Sequence, residues 1–194
     1  MFDGFTFKVA SAPEAERAIA LRREVFLETF GRMPEDDLDA TAHHLVAVNA
    51  AGEVVAAFRL LGPEHRPFDV EAMMDFGTVV PSTRTPALIG RLAARKDHRG
   101  IGQTMFLQMG LMKLGYEFAA KHGITDYVLY TYPHLTSFYR AMFFEPIGEP
   151  IDHPAWGDLR LMRLDVVGLP PRLAGSRSSL ARLLLARDLS NFIV

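Results

Sequence analysis

Apolar and polar residues alternate with two different periods at the start of the chain. Phe5–Val9 places an apolar side chain at every second position, which predicts a strand. The next residues fit a capping box, with Ser11 as the N-cap and Glu14 three positions later, and apolar residues then recur at helical spacing. The helix predicted from this pattern runs to about Phe30 and ends at Gly31.

The rest of the chain continues as an alternation of strands and helices. Two apolar runs at 44–49 and 54–61 flank a short polar turn and predict an antiparallel hairpin. A long loop with four prolines follows at 62–86, with a helical turn near 70–74. The later predicted elements are strands at 87–94, 126–131 and 159–167 and helices at 103–122, 135–142 and 178–190. This order predicts an α/β or α+β domain with a mixed central sheet flanked by helices.

Composition narrows the class of protein. At 194 residues we expect one domain, with residues 1–168 as its body and 169–194 as a C-terminal helical extension. The absence of cysteine excludes disulfides, thiolate metal sites and a cysteine nucleophile, and we predict no metal site. The net charge of −2 lacks the basic excess of a nucleic-acid binder. No apolar run approaches the ~20 residues of a transmembrane segment, and no signal peptide is recognised, so we expect a cytoplasmic protein.

The strongest local signal is the loop between the strand at 87–94 and the helix at 103–122. It contains Arg95, Lys96 and Arg99 and ends at Gly102. A helix N-terminus offers unpaired N–H groups to an anion, and glycine lets a phosphate come close to the backbone. The loop therefore fits a pyrophosphate or phosphopantetheine phosphate, although a loop that only turns the chain has the same pattern. The sequence lacks the Gly-Lys-Ser/Thr of a P-loop and the three glycines of a dinucleotide fold.

A second motif follows about 36 residues later. It contains Phe138-Tyr139 and then Phe143-Phe144-Glu145. The glycine loop and this motif together resemble the Gcn5-related N-acetyltransferase (GNAT) superfamily, which implies its fold, with a splayed central strand. In the family pattern Arg/Gln-x-x-Gly-x-Gly/Ala, either Arg99 begins the motif and Thr104 ends it, or Asp97 begins it and Gly102 ends it. Phe143 stands where the family usually has glycine.

The N-terminal half is similar to one branch of this superfamily. Arg22–Phe26, the acidic pair Asp36 and Asp39, His44–Val46 and Phe58–Leu61 occur in the order seen in acyl-homoserine-lactone synthases and N-acyl amino acid synthases. The resemblance extends from about residue 5 to residue 148. Lactone synthases also carry a tryptophan near the position of Arg32 and a Glu-x-x-Arg motif on the central strand. Here Arg91 matches the arginine, but Leu88 replaces the glutamate. This difference favours an N-acyl amino acid synthase with another amine acceptor.

The resemblance implies roles for particular residues. Tyr139 would be the catalytic acid that protonates the leaving thiolate. The donor-binding residues that it implies are Arg91, Leu92, Ala93, Arg99, Gly100, Ile101, Gly102, Gln103 and Thr104. The substrate-binding residues that it implies are Arg22, Phe26, Asp36, Asp39 and Arg59. The general base stays open between Glu71, Asp75, His43, His44, His134 and a chain of waters.

The expected donor is an acyl thioester of acyl carrier protein or of coenzyme A, and we expect no permanently bound cofactor. Arg91, Arg95, Lys96 and Arg99 with Asp97 would form a patch of net charge +3. This patch would attract an acidic carrier protein and the phosphates of coenzyme A equally, so charge does not decide the donor. Methionine and phenylalanine residues at 73–76 and 105–112 would suit an acyl tunnel, although methionines at helical spacing are more often ordinary core residues. The arginine-rich C-terminal helix would pack on the domain, on a second copy or on anionic lipid.

Three functions compete at this point. The favoured one is an acyltransferase, for groups other than aminoacyl groups, that transfers a long acyl chain to the amine of an amino acid or similar small acceptor. The second is a lactone synthase that uses S-adenosylmethionine. The third is a non-catalytic module that binds acyl groups or acyl carrier protein.

Overall fold

A computed structural model describes residues 2–32, 37–99, 102–154 and 156–194. In these ranges nine strands form one mixed sheet, with helices on both of its faces. The strands are β1 (Phe5–Val9), β2 (His43–Asn49), β3 (Val54–Leu61), β4 (Pro86–Ala94), β5 (Asp126–Thr131), β6 (Glu145–Pro146), β7 (Ile151–His153), β8 (Gly157–Asp165) and β9 (Phe192–Ile193). The helices are α1 (Ala12–Phe30), α2 (Phe76–Val79), α3 (Gln103–His122), α4 (Thr136–Ala141), α5 (Leu169–Leu173) and α6 (Ser179–Leu185).

Local chemistry sets the ends of the two long helices. The backbone N–H of Ser11 donates to the Glu14 carboxylate at 2.9 Å, which is one half of the predicted capping box. Gly31 and Gly123 follow the last helical residues with φ of 67° and 68°, the left-handed region that glycine adopts without steric cost. These signals are contained in the sequence, so the predicted ends of both helices are confirmed.

The sheet runs in the order β6-β8-β5-β4-β3-β2-β1-β9, and β7 also pairs with β8. The pairs β4–β5 and β1–β9 are parallel, and the other neighbouring pairs are antiparallel. One face packs against α1 through a buried cluster that includes Leu21, Val25 and Val46. The other face packs against α3 and carries the largest apolar cluster. The predicted mixed sheet flanked by helices is confirmed.

The central strand β4 separates from β5 partway along its length. Its parallel pairing with β5 covers only Pro86–Leu88. On its other side, Gly90 pairs with Arg59 and Ala93 pairs with Ala57, so β4 has one residue more than β3 between these pairs. This bulge places Arg91 at a φ of 55°. The two central strands therefore diverge and leave an opening in the sheet.

An ion-pair cluster holds the closed end of this opening. Asp126 is fully buried at the start of β5, and its two carboxylate oxygens accept hydrogen bonds from Arg84 Nε at 2.6 Å and Arg163 Nε at 2.7 Å. Arg84 also binds Asp165. Because this cluster ties the segments at the base of the opening together, the strands separate only beyond it.

The C-terminal segment differs from its prediction. The helix predicted at 178–190 ends at Leu185, and residues 192–193 form an edge strand beside β1. The buried Lys113 ammonium on α3 donates to the carbonyls of Leu184 at 2.9 Å and Ala186 at 2.8 Å, so these groups are satisfied without a further helical turn. Among the described residues, no helix is long and apolar enough to span a membrane.

Candidate active site

A cavity of about 270 Å³ fills the opening between β4 and β5 on the side of α1. Its walls come from α1, β3, β4, β5, the segment after β5 and the turn before β8. Leu88, Ile89 and Leu129 form an apolar floor, whereas Arg59 and Arg91 form a charged wall. The cavity is close to the size range of small-molecule sites, about 300–1,000 Å³.

A smaller cavity of about 30 Å³ lies on the opposite side of the sheet, under α3. Both cavities are lined by Gly90, Leu92, Leu129 and Tyr139. The residues at the opening in the sheet therefore border a cavity on each of its two faces.

Tyr139 lies where the two cavities meet. Its ring packs edge-on against Phe138 and Phe144, with centroid distances of 5.1 and 5.9 Å. Burial raises the pKa of Tyr139 to about 12, and a hydrogen bond with Thr131 opposes part of this rise. The phenol is therefore protonated at neutral pH and can donate a proton, as an acid for the leaving thiolate must.

Phe143 supports the alignment of the second motif. It has a φ of 69°, in the left-handed region where a residue other than glycine is uncommon. The family motif has glycine at this position. The backbone therefore keeps the conformation that the motif requires, although the side chain differs.

Asp39 is surrounded by arginines beside the large cavity. Its Oδ1 accepts hydrogen bonds from Arg22 Nη2 at 2.8 Å and Arg59 Nη1 at 3.2 Å, and its Oδ2 lies 3.9 Å from Arg91 Nη1. Arg22 is completely buried, whereas Arg59 and Arg91 line the cavity. Burial lowers the pKa of Arg22 to about 10, an effect that Asp39 opposes. The structure thus brings together Arg22, Asp39, Arg59 and Arg91 of the predicted polar network, while Asp36 lies outside the described residues.

His44 has no lone pair left for proton transfer. Its Nδ1 lies 2.8 Å from Arg22 Nη1, and a guanidinium can only donate, so Nδ1 must accept. Its Nε2 then carries the hydrogen and donates to the Asp39 carbonyl at 2.9 Å. Burial also lowers the pKa of His44, which favours this neutral form. His44 therefore orients the arginine network and is unsuited to the role of general base.

The other base candidates are not among the residues that line the large cavity. Glu71 binds Arg66 in a bidentate ion pair, with oxygen–nitrogen distances of 2.9 and 2.7 Å. Asp75 precedes α2, His43 packs against Phe118, and His134 stacks on Tyr132. Among the described residues that line the cavity, none carries a carboxylate or an imidazole.

Aromatic residues form the outer wall of the large cavity. Phe26 and Phe30 on α1 each have their ring centroids 6.0 Å from Trp156, and Phe30 lies 5.6 Å from Tyr132. The Arg32 guanidinium lies 5.3 Å from the Trp156 ring centroid, within range of a cation–π contact. A tryptophan from the turn before β8 thus approaches Arg32, near where lactone synthases carry one after the first helix.

Of the two interpretations of the methionine-rich segments, ordinary core agrees better with the described residues than an acyl tunnel does. Met105 is exposed, and Phe106 and Met109 pack in the core. Met73, Met74 and Phe76 belong to a separate apolar cluster, and Met112 lines the smaller cavity. The methionines of α3 follow a helical period that also faces the core, which is the alternative that the sequence pattern leaves open.

The glycine loop precedes α3 as predicted. Gly102 is the N-cap residue, and its φ of 93° is accessible to glycine but strained for other residues. Gly100 and Ile101 lie outside the described residues, and for Gln103 and Thr104 only the backbone is described. The Arg99 guanidinium donates to the Ala94 carbonyl at 2.7 Å and to Glu28 at 2.8 Å.

The predicted basic patch of net charge +3 is wrong. Lys96 and Arg99 both pair with Glu28 on α1, at 3.2 and 2.8 Å. Arg95 pairs with Asp97 at 2.7 Å and with Glu53 at 2.9 Å. Arg91 is separate from this group because it lies inside the cavity. Three carboxylates therefore balance the three cations of the loop, and two of those carboxylates come from distant parts of the sequence.

Sequence reasoning missed several residues of the cavity wall. Thr29 and Phe30 lie one turn beyond Phe26, and helical spacing could have indicated them. Tyr130 and Tyr132 lie at the end of β5, beside the opening, where the GNAT resemblance could have drawn attention to them. Trp156 had no local signal, because it follows an ordinary short strand.

Comparison with known proteins places these features in a family. The model of the N-acyl amino acid synthase FeeM family matches residues 18–165. No curated protein matches the chain. The structure of FeeM, an N-acyl amino acid synthase from uncultured soil microbes, superposes with a TM-score of 0.69 at 17% identity, over 88% of this chain and 96% of that one.

Two further structures share the fold. An acyl-CoA N-acyltransferase from Pseudomonas aeruginosa has a TM-score of 0.58 at 22% identity, over 82% of this chain and 97% of that one. TofI, in a ternary complex with an inhibitor and MTA, has a TM-score of 0.58 at 17% identity, over 84% and 91%. The opening in the sheet, the cavity within it and the match over residues 18–165 lead to one conclusion: the chain belongs to the FeeM N-acyl amino acid synthase family and is an N-acyltransferase with the GNAT fold.

Proposed function

We propose that the protein transfers a long acyl chain from a phosphopantetheine thioester to the amine of an amino acid. The observation that carries this proposal is the cavity in the sheet opening, which joins an apolar and aromatic wall to Arg59 and Arg91. An acyl chain fits the apolar part, and a carboxylate fits the charged part. The amine and the thioester carbonyl would meet between these two regions.

The acyl donor is proposed to be acyl carrier protein rather than acetyl-coenzyme A. The support is the family match over residues 18–165 and the aromatic lining by Phe26, Phe30 and Trp156, which an acetyl group would leave largely unfilled. The charges around Arg95, Lys96 and Arg99 are balanced by carboxylates, so they favour neither carrier protein nor coenzyme A. Chain length therefore supports this assignment more than loop charge does. Gly102 at the start of α3 would let the phosphopantetheine phosphate approach the helix N-terminus.

The acceptor is proposed to be an amino acid with a free carboxylate. Arg59 and Arg91 line the cavity, and guanidinium groups bind carboxylates in well-defined geometry. Leu88, which stands in place of the lactone synthase glutamate, is buried and also lines the cavity. The apolar side chain of Leu88 has no charge and no hydrogen-bond acceptor for the amine of S-adenosylmethionine, so the hypothesis of a lactone synthase loses support.

Two groups would assist the reaction. The backbone N–H groups near Arg91–Ala93 lie beyond the point where β4 and β5 separate, so one of them can bind the thioester oxygen. Tyr139, between the two cavities, would protonate the leaving thiolate. The reaction needs no bound cofactor. We further propose that residues 169–194 act as part of the same domain, because α6 contacts α3 through Lys113 and β9 extends the sheet.

A donor comparison tests the proposed function. The purified protein would receive acyl groups of equal length on carrier protein and on coenzyme A, together with acetyl-coenzyme A, a mixture of amino acids and S-adenosylmethionine. Mass spectrometry should find N-acyl amino acids, formed fastest from a long-chain carrier-protein donor. Faster turnover of acetyl-coenzyme A would contradict the donor assignment. A homoserine lactone as the main product would contradict the acceptor assignment.

A further inference from the structure

A hydrogen bond links the cavity wall to a carboxylate at the protein surface. Tyr130 lies on β5 just beyond the point where the strand separates from β4, and it lines the large cavity. Its hydroxyl donates to Asp69 Oδ2 at 3.0 Å. The other oxygen of Asp69 accepts from the Val70 backbone N–H at 2.8 Å, and the side chain is 47% exposed. A hydrogen bond therefore joins a residue of the cavity wall to a carboxylate that solvent can reach.

The proposed reaction needs such a link. An amino acid amine is protonated at neutral pH and becomes a nucleophile only after it loses a proton. Among the described residues lining the cavity, none carries a carboxylate or an imidazole. Asp39 lies nearby, but three arginines hold its pKa below the usual value although burial opposes them, so it is a weak base. Asp69 lies outside this arginine cluster, and the wall residue Tyr130 reaches it through a single hydrogen bond.

The charges around Tyr130 suit a relay rather than a direct base. Burial, together with the Asp69 carboxylate, raises the pKa of Tyr130 well above its usual range, so its hydroxyl stays protonated. Arg59 and Arg91 face it across the cavity and oppose this rise. His153 Nε2 lies 3.8 Å from Asp69 Oδ2, and its ring centroid is 5.4 Å from that of Tyr130. A protonated hydroxyl with an ionised acceptor behind it can accept one proton while it releases another.

We propose that Tyr130 and Asp69 form the relay that deprotonates the acceptor amine, an inference that rests on the proposed function. One proton moves from the ammonium nitrogen to the Tyr130 oxygen as the Tyr130 proton moves to Asp69 Oδ2, and Asp69 releases it to solvent. The freed lone pair forms the C–N bond, and the C–S bond breaks. The thiolate takes its proton from Tyr139, and the second nitrogen proton restores the Tyr139 hydroxyl.

Asp69→Asn separates proton transfer from hydrogen bonding. The asparagine oxygen can still accept the Tyr130 hydrogen bond, but the amide cannot take up the proton. We expect kcat/KM for the amine to fall on the order of 10²-fold at neutral pH, the lower range for general base catalysis. The kcat/KM of the variant should recover about tenfold per pH unit as the ammonium group loses its proton in solution, and it should approach the wild-type value near the pKa of the amine. Tyr130→Phe should show the same loss and the same recovery.

Hydroxylamine supplies the decisive comparison, because its nitrogen is already neutral at neutral pH. Both variants should use it at close to the wild-type rate. Matched controls are Asp152→Asn, an exposed carboxylate beside His153, and Tyr116→Phe, a hydroxyl deletion on α3 away from the cavity; both should keep wild-type rates with either acceptor.

Three results would overturn the relay. One is activity of Asp69→Asn and Tyr130→Phe within about twofold of the wild type at every pH. Another is an equal decrease in kcat/KM with the amino acid and with hydroxylamine, which would indicate a structural role. The third is that neither variant regains activity at high pH. A wild-type protein that acylates neither acceptor from any donor would instead remove the proposed function, and the relay with it. Thermal unfolding would confirm that each variant is folded.

Discussion

Substitution of Asp39 by asparagine should destabilise the protein far more than an ordinary change of a carboxylate. Asp39 is the carboxylate that the fully buried Arg22 contacts in the described part of the chain, at 2.8 Å. Asparagine keeps an oxygen that can accept the hydrogen bonds of Arg22 and Arg59 but removes the negative charge. The substitution leaves a buried guanidinium without a counter-charge.

The expected loss follows from this geometry. Removal of one partner of a buried ion pair costs about 3–5 kcal/mol. The asparagine oxygen keeps the hydrogen bonds, and the Asp39 side chain is 17% exposed, so we expect the lower end, about 3 kcal/mol. That corresponds to a change of roughly 10²-fold in the unfolding equilibrium. For a chain of this length Tm should fall by about 6–12 °C.

The pH dependence gives a second readout with a definite sign. Burial alone would raise the pKa of Asp39, but Arg22, Arg59 and Arg91 more than offset this and lower it from its usual 3.8. A carboxyl group with a lowered pKa in the folded state stabilises the protein above the unfolded pKa, and this stabilisation is lost as the pH falls through the folded pKa. The difference between wild type and Asp39→Asn should be complete at pH 7 and shrink below about pH 4.

Urea denaturation followed by circular dichroism at pH 7 measures the effect. Asp37→Asn is the matched control, because Asp37 is exposed and two residues away, and it should change the free energy of unfolding by no more than about 0.5 kcal/mol. A decrease in the free energy of unfolding below about 1 kcal/mol for Asp39→Asn would refute the reasoning, because a buried Arg22 without a counter-charge should destabilise the folded state by more than this.

Three further substitutions test the proposed site. Tyr139→Phe should lower kcat by about 10²-fold or more with little change in donor affinity, and a kcat within about twofold of the wild type, with chemistry rate-limiting, would remove the acid role. Gly102→Ala should raise the KM for the donor and lower stability by about 1 kcal/mol, because φ at this position is 93°; unchanged donor kinetics in the folded variant would separate the loop from the site. Trp156→Ala should enlarge the cavity and shift preference toward longer acyl chains in a competition assay with mixed donors, and an unchanged chain-length profile would place Trp156 outside the acyl site.

The sequence predicts the parts of this molecule that depend on near neighbours. The ends of α1 and α3 follow from Ser11, Glu14, Gly31 and Gly123, which act within one helical turn. The motif around Tyr139 also identifies a residue that the structure places between the two cavities. Secondary structure and the second motif were therefore accessible before the structure.

Contacts between distant segments could not be predicted from the sequence in the same way. Glu28 and Glu53 neutralise the glycine loop from two other elements, and no local pattern relates them to Arg95 and Arg99. Trp156 reaches the cavity through a turn far along the chain from Phe26. Such pairings depend on how the sheet brings the segments together, which periodicity does not reveal.

The bulge in β4 links the opening in the sheet to the number of residues in that strand. From Gly90, which pairs with Arg59, to Ala93, which pairs with Ala57, β4 advances by three residues, whereas β3 advances by two. This added residue brings Arg91 into the cavity beside Arg59. When relatives are aligned, the number of residues in the segment from Pro86 to Ala94 therefore indicates whether the bulge is present. The identity of the residue at each position does not indicate this. A relative one residue shorter there would have a regular strand pair, and its arginine at this position would face the other side of the sheet.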